Sequence, residues 1–216
     1  MSEAQRVAVL ASGGGTNLQA LLDADLGAAS IALVIGNVAG AKALERAKKA
    51  GVPAELIEHG KFSGREAFDA EIAARLKAHG ITLVCLAGFM RLVGPPILEA
   101  FPQRVLNIHP ALLPSFPGLH AIRQALAAGV KVTGATVHFV DAGLDSGPIL
   151  LQGAVPVLPA DDEDTLGERV LTVEHRIYPE AVRLVAAGRV RIEGRRTVVA
   201  EAKSEEAARL FSPPVE

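Results

Sequence analysis

Asn107 and His109 stand two residues apart in a proline-punctuated segment, NIHPALLPSFP. Residues i and i+2 of an extended chain point the same way, so the pair projects together into whatever cleft lies beside it. Histidine is the usual carrier of a proton near neutrality, because its ordinary pKa of about 6.5 lies close to it. An asparagine amide N–H can serve an oxygen that turns negative in a transition state. Pro110, Pro114 and Pro117 restrain the backbone that follows. A lone histidine is more often a satisfied core residue. The paired asparagine and the prolines favour a functional site, at the end of a buried strand where open α/β sheets bind ligands.

A second feature is Ser-Gly-Gly-Gly-Thr-Asn at residues 12–17, between a strand-like and a helix-like run. A helix N-terminus presents free amide hydrogens and the positive end of the helix dipole, so phosphate is its natural occupant. A dinucleotide site would need Gly-x-Gly-x-x-Gly and an acidic residue closing the second strand. Here Gly13 and Gly15 are followed by Leu18, and the second strand closes on Gly36-Asn37, which disfavours NAD. No Gly-Lys-Ser/Thr is present for a Walker loop, and a tight turn that binds nothing stays open.

The other histidines carry less. His59 and His79 fall near element ends, His120 follows Gly118-Leu119, His175 sits on the long C-terminal helix, and His138 lies in an alternating run that could face the same cleft. No metal-ligand spacing occurs, so no metal is expected. The acidic, Gly-rich loop at residues 141–148 would by itself pass for a solvated turn.

These residues need a frame. Strands are expected at 6–11, 31–35, 54–57 and 81–86, alternating with helices at 16–22, 42–50 and 65–78. Such alternation predicts an α/β fold: an open, mostly parallel twisted sheet with helices on both faces, Rossmann-like in its N-terminal half. Further on, Pro95-Pro96 opens a short helix, and Val105-Leu106 leads into the polar segment. Gly118-Leu119 starts a helix ending near Gly129, and residues 136–140 and 149–157 form neighbouring strands with an antiparallel member. A long helix over 162–187 and a hairpin over 189–200 close the fold. The expected organisation is one domain, with a phosphate-binding lobe over about 1–100, a catalytic lobe over about 101–200, and a loose tail over 201–216.

Composition narrows the partners. The formal net charge is −2 and aromatics are 4%, so neither a basic stripe nor a stacking platform marks a nucleic-acid binder. Small-molecule substrates are expected, without nucleic acid or membrane, and with a cytoplasmic location. Cys85, the only cysteine, sits in an apolar run and reads as a buried small hydrophobe.

Taken together, five segments resemble the folate-dependent glycinamide ribonucleotide formyltransferases of purine biosynthesis, within the formyltransferase superfamily. They are VLASGGGTNLQALL (9–22), LAGFMRLV (86–93), NIHPALLPSFPGLHA (107–121), GATVHFVDAGLDSGPILLQ (134–152) and VEHRIYP (173–179), spread over residues 7–187. The resemblance implies a formyltransferase-like fold and transfer of a formyl group from 10-formyltetrahydrofolate, a co-substrate, to the amine of 5'-phosphoribosylglycinamide. It implies Asn107, His109 and Asp145 as the catalytic trio. Gly15, Thr16 and Asn17 would hold the ribose 5-phosphate, with Glu174 contacting the ribonucleotide. Arg65, Met90, Arg91, Leu92 and Val93, with Asn107, Asp141 and Asp145, would bind the folate. A homodimer is compatible with it. The loop has Gly14 where some relatives carry Asn and Thr16 where some carry Ser, and neither change removes a backbone donor. Two other formyltransferase-type readings fit less well. A methionyl-tRNA formyltransferase would be expected to carry a further C-terminal domain, and a formyltetrahydrofolate deformylase a second histidine where Pro110 stands. A non-catalytic sensor of a phosphorylated metabolite is the reading from outside the enzymes.

Overall fold

The computed structural model describes residues 4–200; the tail expected over 201–216 lies outside the described residues. Short apolar runs form β1 (Gln5–Ala11), β2 (Ala29–Gly36), β3 (Ala54–Leu56), β4 (Leu83–Leu86) and β5 (Val105–His109). The helices α1 (Thr16–Asp23), α2 (Lys42–Lys49), α3 (Arg65–Ala78) and α4 (Pro95–Ala100) alternate with them. Then come α5 (Ala121–Ala128), β6 (Val132–Phe139), β7 (Ile149–Pro156), α6 (Glu163–Ala186), and a hairpin of β8 (Val190–Glu193) and β9 (Arg196–Val199). The main sheet has seven strands in the order β3-β2-β1-β4-β5-β6-β7. β1 to β5 pair in parallel, and β6 runs antiparallel to both β5 and β7. The mostly parallel α/β sheet with an antiparallel member in the C-terminal half is therefore present.

Period-two alternation decides which face each side chain takes. Val7, Val9 and Ala11 of β1 and Leu83 and Cys85 of β4 join one core with Leu18 and Leu21 of α1 and Val170, Tyr178 and Val182 of α6. Ala8, Leu10, Val84 and Leu86 face the opposite core, against Phe68, Ile72 and Leu76 of α3 and Ile97 of α4. Burial on both faces is why these strands read as unbroken apolar runs. A fully buried leucine such as Leu10 contributes roughly 1.5–3 kcal/mol relative to exposure. α6 starts on a reciprocal cap, in which the Asp162 carboxylate accepts from Thr165 N (2.8 Å) and Thr165 Oγ1 accepts from Asp162 N (3.0 Å). No helix among the described residues is long and apolar enough to cross a membrane.

Three boundaries differ from the sequence expectation by three residues or more. β5 runs through Asn107 and His109 instead of stopping at Leu106, because β6 pairs with it, Asn107 opposite His138 and His109 opposite Thr136. β6 begins at Val132, four residues before the alternating run at 136–140. Gly134 masks the pattern, yet it belongs there, because a Cβ on it would lie 1.9 Å from Gly153 O of β7. α5 starts at Ala121, later than Gly118-Leu119, because His120 is left-handed at φ 59.

Candidate active site

Asn107 and His109 share parity on β5 with Val105, while Leu106 and Ile108 face the core on the other side. Both polar side chains line a cleft of about 520 Å³ at the carboxyl end of the parallel strands. The loop after β6 brings Asp145 to them. Its Oδ2 lies 3.4 Å from His109 Nδ1 and accepts from Gly118 N at 2.8 Å, and its Oδ1 lies 3.5 Å from Asn107 Nδ2. His109 Nε2 donates to Phe116 O at 2.8 Å. Both ring nitrogens thus face acceptors, and an imidazolium satisfies both where a neutral ring satisfies one.

His138, opposite Asn107 in the β5–β6 ladder, completes the cluster. Its Nδ1 faces Phe139 O at 3.0 Å, and in the tautomer that carries its proton there Nε2 accepts from Asn107 Nδ2 at 3.1 Å. One Asn107 amide hydrogen is thereby committed. The other makes only the long contact to Asp145, which an oxyanion can replace. The sequence placed His138 in an alternating run without assigning it a role. Its partner becomes visible only when the pairing register is known.

The Asp145 carboxyl is held below the usual carboxylate range. A protonated His138 ring, whose Nε2 lies 3.7 Å from Asp145 Oδ1, does most, helped by the Gly118 amide and the charge of His109, against burial, which acts the other way. Four non-glycine residues among those described have positive φ, namely Gln103, Phe116, His120 and Asp145. The last three all belong to this cleft or to the His109 contact, the clustering that strained backbone shows at functional sites.

On the other side of Ile108 and Pro110 lies a second cavity of about 450 Å³. Gly15, Thr16, Asn17 and Glu174 line it, along with Ser12. Gly15 caps α1 at φ 70, and a Cβ there would come within 2.8 Å of Ala43 Cα, so this position requires glycine. Ala43 N donates to Gly13 O and Arg46 Nε to Gly14 O, turning those carbonyls toward α2 and away from the helix N-terminus. The first-turn amides of α1 have no partner within the helix. Asn17 Nδ2 donates to Glu174 Oε2 at 2.6 Å, while Asn17 Oδ1 is buried without a partner. Burial pushes the Glu174 carboxyl up, against the hydrogen bond from Asn17.

Arg65, Met90, Arg91, Leu92, Val93 and Asp141 all line the first cleft, and Met90 and Leu92 are 65% and 54% exposed. Every residue that the resemblance assigns to the site therefore borders one of two cavities, which share Gly88, Met90, Ile108 and Pro110. Cys85 borders neither. It is fully buried, and burial pushes its thiol up to about 12, far from a nucleophile. Among the described residues, no group of three or more His, Cys, Asp or Glu is placed to hold a metal ion.

Comparison with known proteins is consistent with this geometry. The family described as Formyl transferase matches residues 5–182. The chain is 50% identical over 192 residues to the trifunctional purine biosynthetic protein adenosine-3 of Drosophila pseudoobscura pseudoobscura, covering 87% of this chain but only 14% of that protein. It is 49% identical to the phosphoribosylglycinamide formyltransferase of Mycobacterium tuberculosis (strain ATCC 25618 / H37Rv), covering 88% of this chain and 89% of that one. Among solved structures, glycinamide ribonucleotide transformylase 1 from Symbiobacterium toebii superposes with a TM-score of 0.91 at 56% identity, over 92% of this chain and 95% of that one.

Proposed function

The chain belongs to the formyl transferase family, and from that we propose that it is a phosphoribosylglycinamide formyltransferase. It transfers the formyl group of 10-formyltetrahydrofolate to the amine of 5'-phosphoribosylglycinamide, a step of purine biosynthesis. The observation that carries this reading is the meeting of the two cavities at Ile108 and Pro110, with Asn107, His109 and Asp145 on the folate side of the junction.

The residues fit the two substrates. In the smaller cavity, the free amides at Gly15, Thr16 and Asn17 suit a phosphate, while Glu174 and the unpaired Asn17 Oδ1 are acceptors for ribose hydroxyls. In the larger one, Leu86, Phe89, Val93 and Val140 wall a space for a flat heterocycle, and Arg65 and Arg91 suit carboxylates. Asp141 Oδ1 accepts from Gly143 N and from Ser146 Oγ, which shapes the loop that carries Asp145 into that cavity.

Formyl transfer requires an amine to add to the formyl carbon, which leaves negative charge on the carbonyl oxygen. The Asn107 N–H that faces Asp145 at 3.5 Å is free to turn to that oxygen, and protonated His109 adds positive charge beside it. The amine must then lose a proton and the departing nitrogen must gain one. His109 is the group on this wall built to carry it, with Asp145 stabilising the charged ring. No covalent adduct of the chain is needed.

The test is to mix the chain with 5'-phosphoribosylglycinamide and 10-formyltetrahydrofolate and follow formyl transfer. Turnover that requires both substrates and falls on the order of 100-fold or more in Asn107→Ala and His109→Ala is expected. Ribonucleotide binding with no transfer would mark the chain as a binding module instead.

A further inference from the structure

Asp69 is fully buried on α3 and lines neither cavity, yet it is an acid beneath a functional loop. Its Oδ2 accepts from Gly94 N at 2.7 Å, and its Oδ1 is buried without a partner. Burial raises its carboxyl, while the Gly94 amide and the nearby charges of Arg65 and Arg91 act the other way. A carboxylate is costly to bury, and an apolar side chain would pack this helix face more cheaply. Something at this position uses the acceptor.

That use is visible in the segment above it. Between β4 and α4 the backbone has no regular structure, so no ladder or helix holds residues 89–93 in place. Among the described residues, side chains anchor its amides at two points: Ser12 Oγ accepts from Met90 N at 2.8 Å, and Asp69 Oδ2 accepts from Gly94 N. Gly94 also begins α4, where its carbonyl accepts from Ile97 N and Leu98 N. The approach leaves no room for a side chain, since a Cβ on Gly94 would lie 2.7 Å from Asp69 Oδ2. Arg65, one turn before Asp69, and Arg91, whose guanidinium lies 6.0 Å over the Phe68 ring, are both close enough to act on the Asp69 charge.

We propose that Asp69, through its bond to Gly94 N, is the positioning residue that sets residues 90–93 for the formyl-folate, an assignment that rests on the folate reading of this cleft. Asp69 touches no substrate. It acts through the backbone it holds, so its loss should weaken one substrate and spare the other.

The experiment measures the folate KM, the ribonucleotide KM and kcat, with 10-formyltetrahydrofolate and 5'-phosphoribosylglycinamide varied in turn. The variants are Asp69→Ala, Asp69→Asn, Gly94→Ala and the double variant Asp69→Ala/Gly94→Ala. Asp69→Ala and Gly94→Ala should each raise the folate KM about tenfold, the scale of one hydrogen bond to a buried charged group, with the ribonucleotide KM within about twofold. Asp69→Asn keeps an acceptor for Gly94 N and should stay within about threefold of wild type. Both alanine changes break the same contact, so the double variant should be no worse than the poorer single one. Should Asp69→Ala not fold, Gly94→Ala carries the same test. Wild-type folate KM in Asp69→Ala and Gly94→Ala, or equal rises in both KM values, would overturn the assignment while leaving the enzyme intact. A wild-type chain with no folate-dependent transfer would overturn the functional reading first, and this one with it.

Discussion

Asp145→Asn isolates the electrostatic part of the site. The residue sits at φ 48, a conformation asparagine adopts readily, so the backbone should hold. The carboxamide oxygen can keep the bond from Gly118 N, where Oδ2 now accepts at 2.8 Å, and the NH2 then takes the place of Oδ1, 3.5 Å from Asn107 Nδ2 and 3.7 Å from His138 Nε2. What disappears is a negative charge 3.4 Å from His109 Nδ1. Two unit charges at that distance attract by about 5 kcal/mol at an effective dielectric constant of about 20, and by about 1 kcal/mol in water. The two side chains are 6% and 12% exposed but border an open cleft, so a value between these, about 2–3 kcal/mol, is reasonable. That corresponds to a loss of roughly 30- to 150-fold in turnover. Steady-state formyl transfer, with each substrate varied in turn, should show the loss in kcat and little change in either KM. Turnover within about threefold of wild type would refute the reasoning, as the charge would then be shown not to matter. Thermal unfolding supplies an independent check. The carboxyl of Asp145 is depressed, so its contribution to stability is complete above the usual carboxylate pKa of 3.8 and is lost as pH falls through the depressed value. The Tm gap between wild type and Asp145→Asn should therefore hold at neutral pH and close only in strong acid.

Three other substitutions separate the remaining parts. His138→Ala removes the acceptor that fixes the Asn107 amide and should lower kcat about tenfold with both KM values near wild type, read from the same assay. Glu174→Gln should weaken ribonucleotide binding yet raise Tm at neutral pH. The wild-type carboxyl is raised, so folding disfavours its ionised form as pH climbs above the ordinary 4.5, and the stability gain of the neutral variant should vanish below that pH. Gly15→Ala must place a side chain at φ 70 against Ala43 and should cost about 1–3 kcal/mol, seen in chemical denaturation, with a raised ribonucleotide KM.

Much of this site was legible before folding. The Asn-x-His spacing, the glycine loop between strand and helix, and the motif order from residue 9 to 179 all lie in local sequence, and each sits at a cavity wall in the structure. At β5, β6 and the start of α5, a neighbouring strand or a left-handed residue overrode the local pattern. His138 was given the cleft but no role, and Asp69 was passed over, because an alternating histidine and a helical aspartate look the same whether or not a partner awaits them.

Periodicity and turn chemistry are local properties, so the chain alone determined that apolar runs would form a two-faced sheet, that a glycine turn would open α1, and that Asn107 and His109 would point together. Sheet pairing is not local. Asn107 meets His138 from 31 residues away and Asp145 from 38, and Asn17 meets Glu174 from 157. Those distances in sequence are closed by strand register and by the packing of α6 across the sheet, which depend on the whole core at once. Tertiary structure therefore decided which acid serves the imidazole and which one holds the loop.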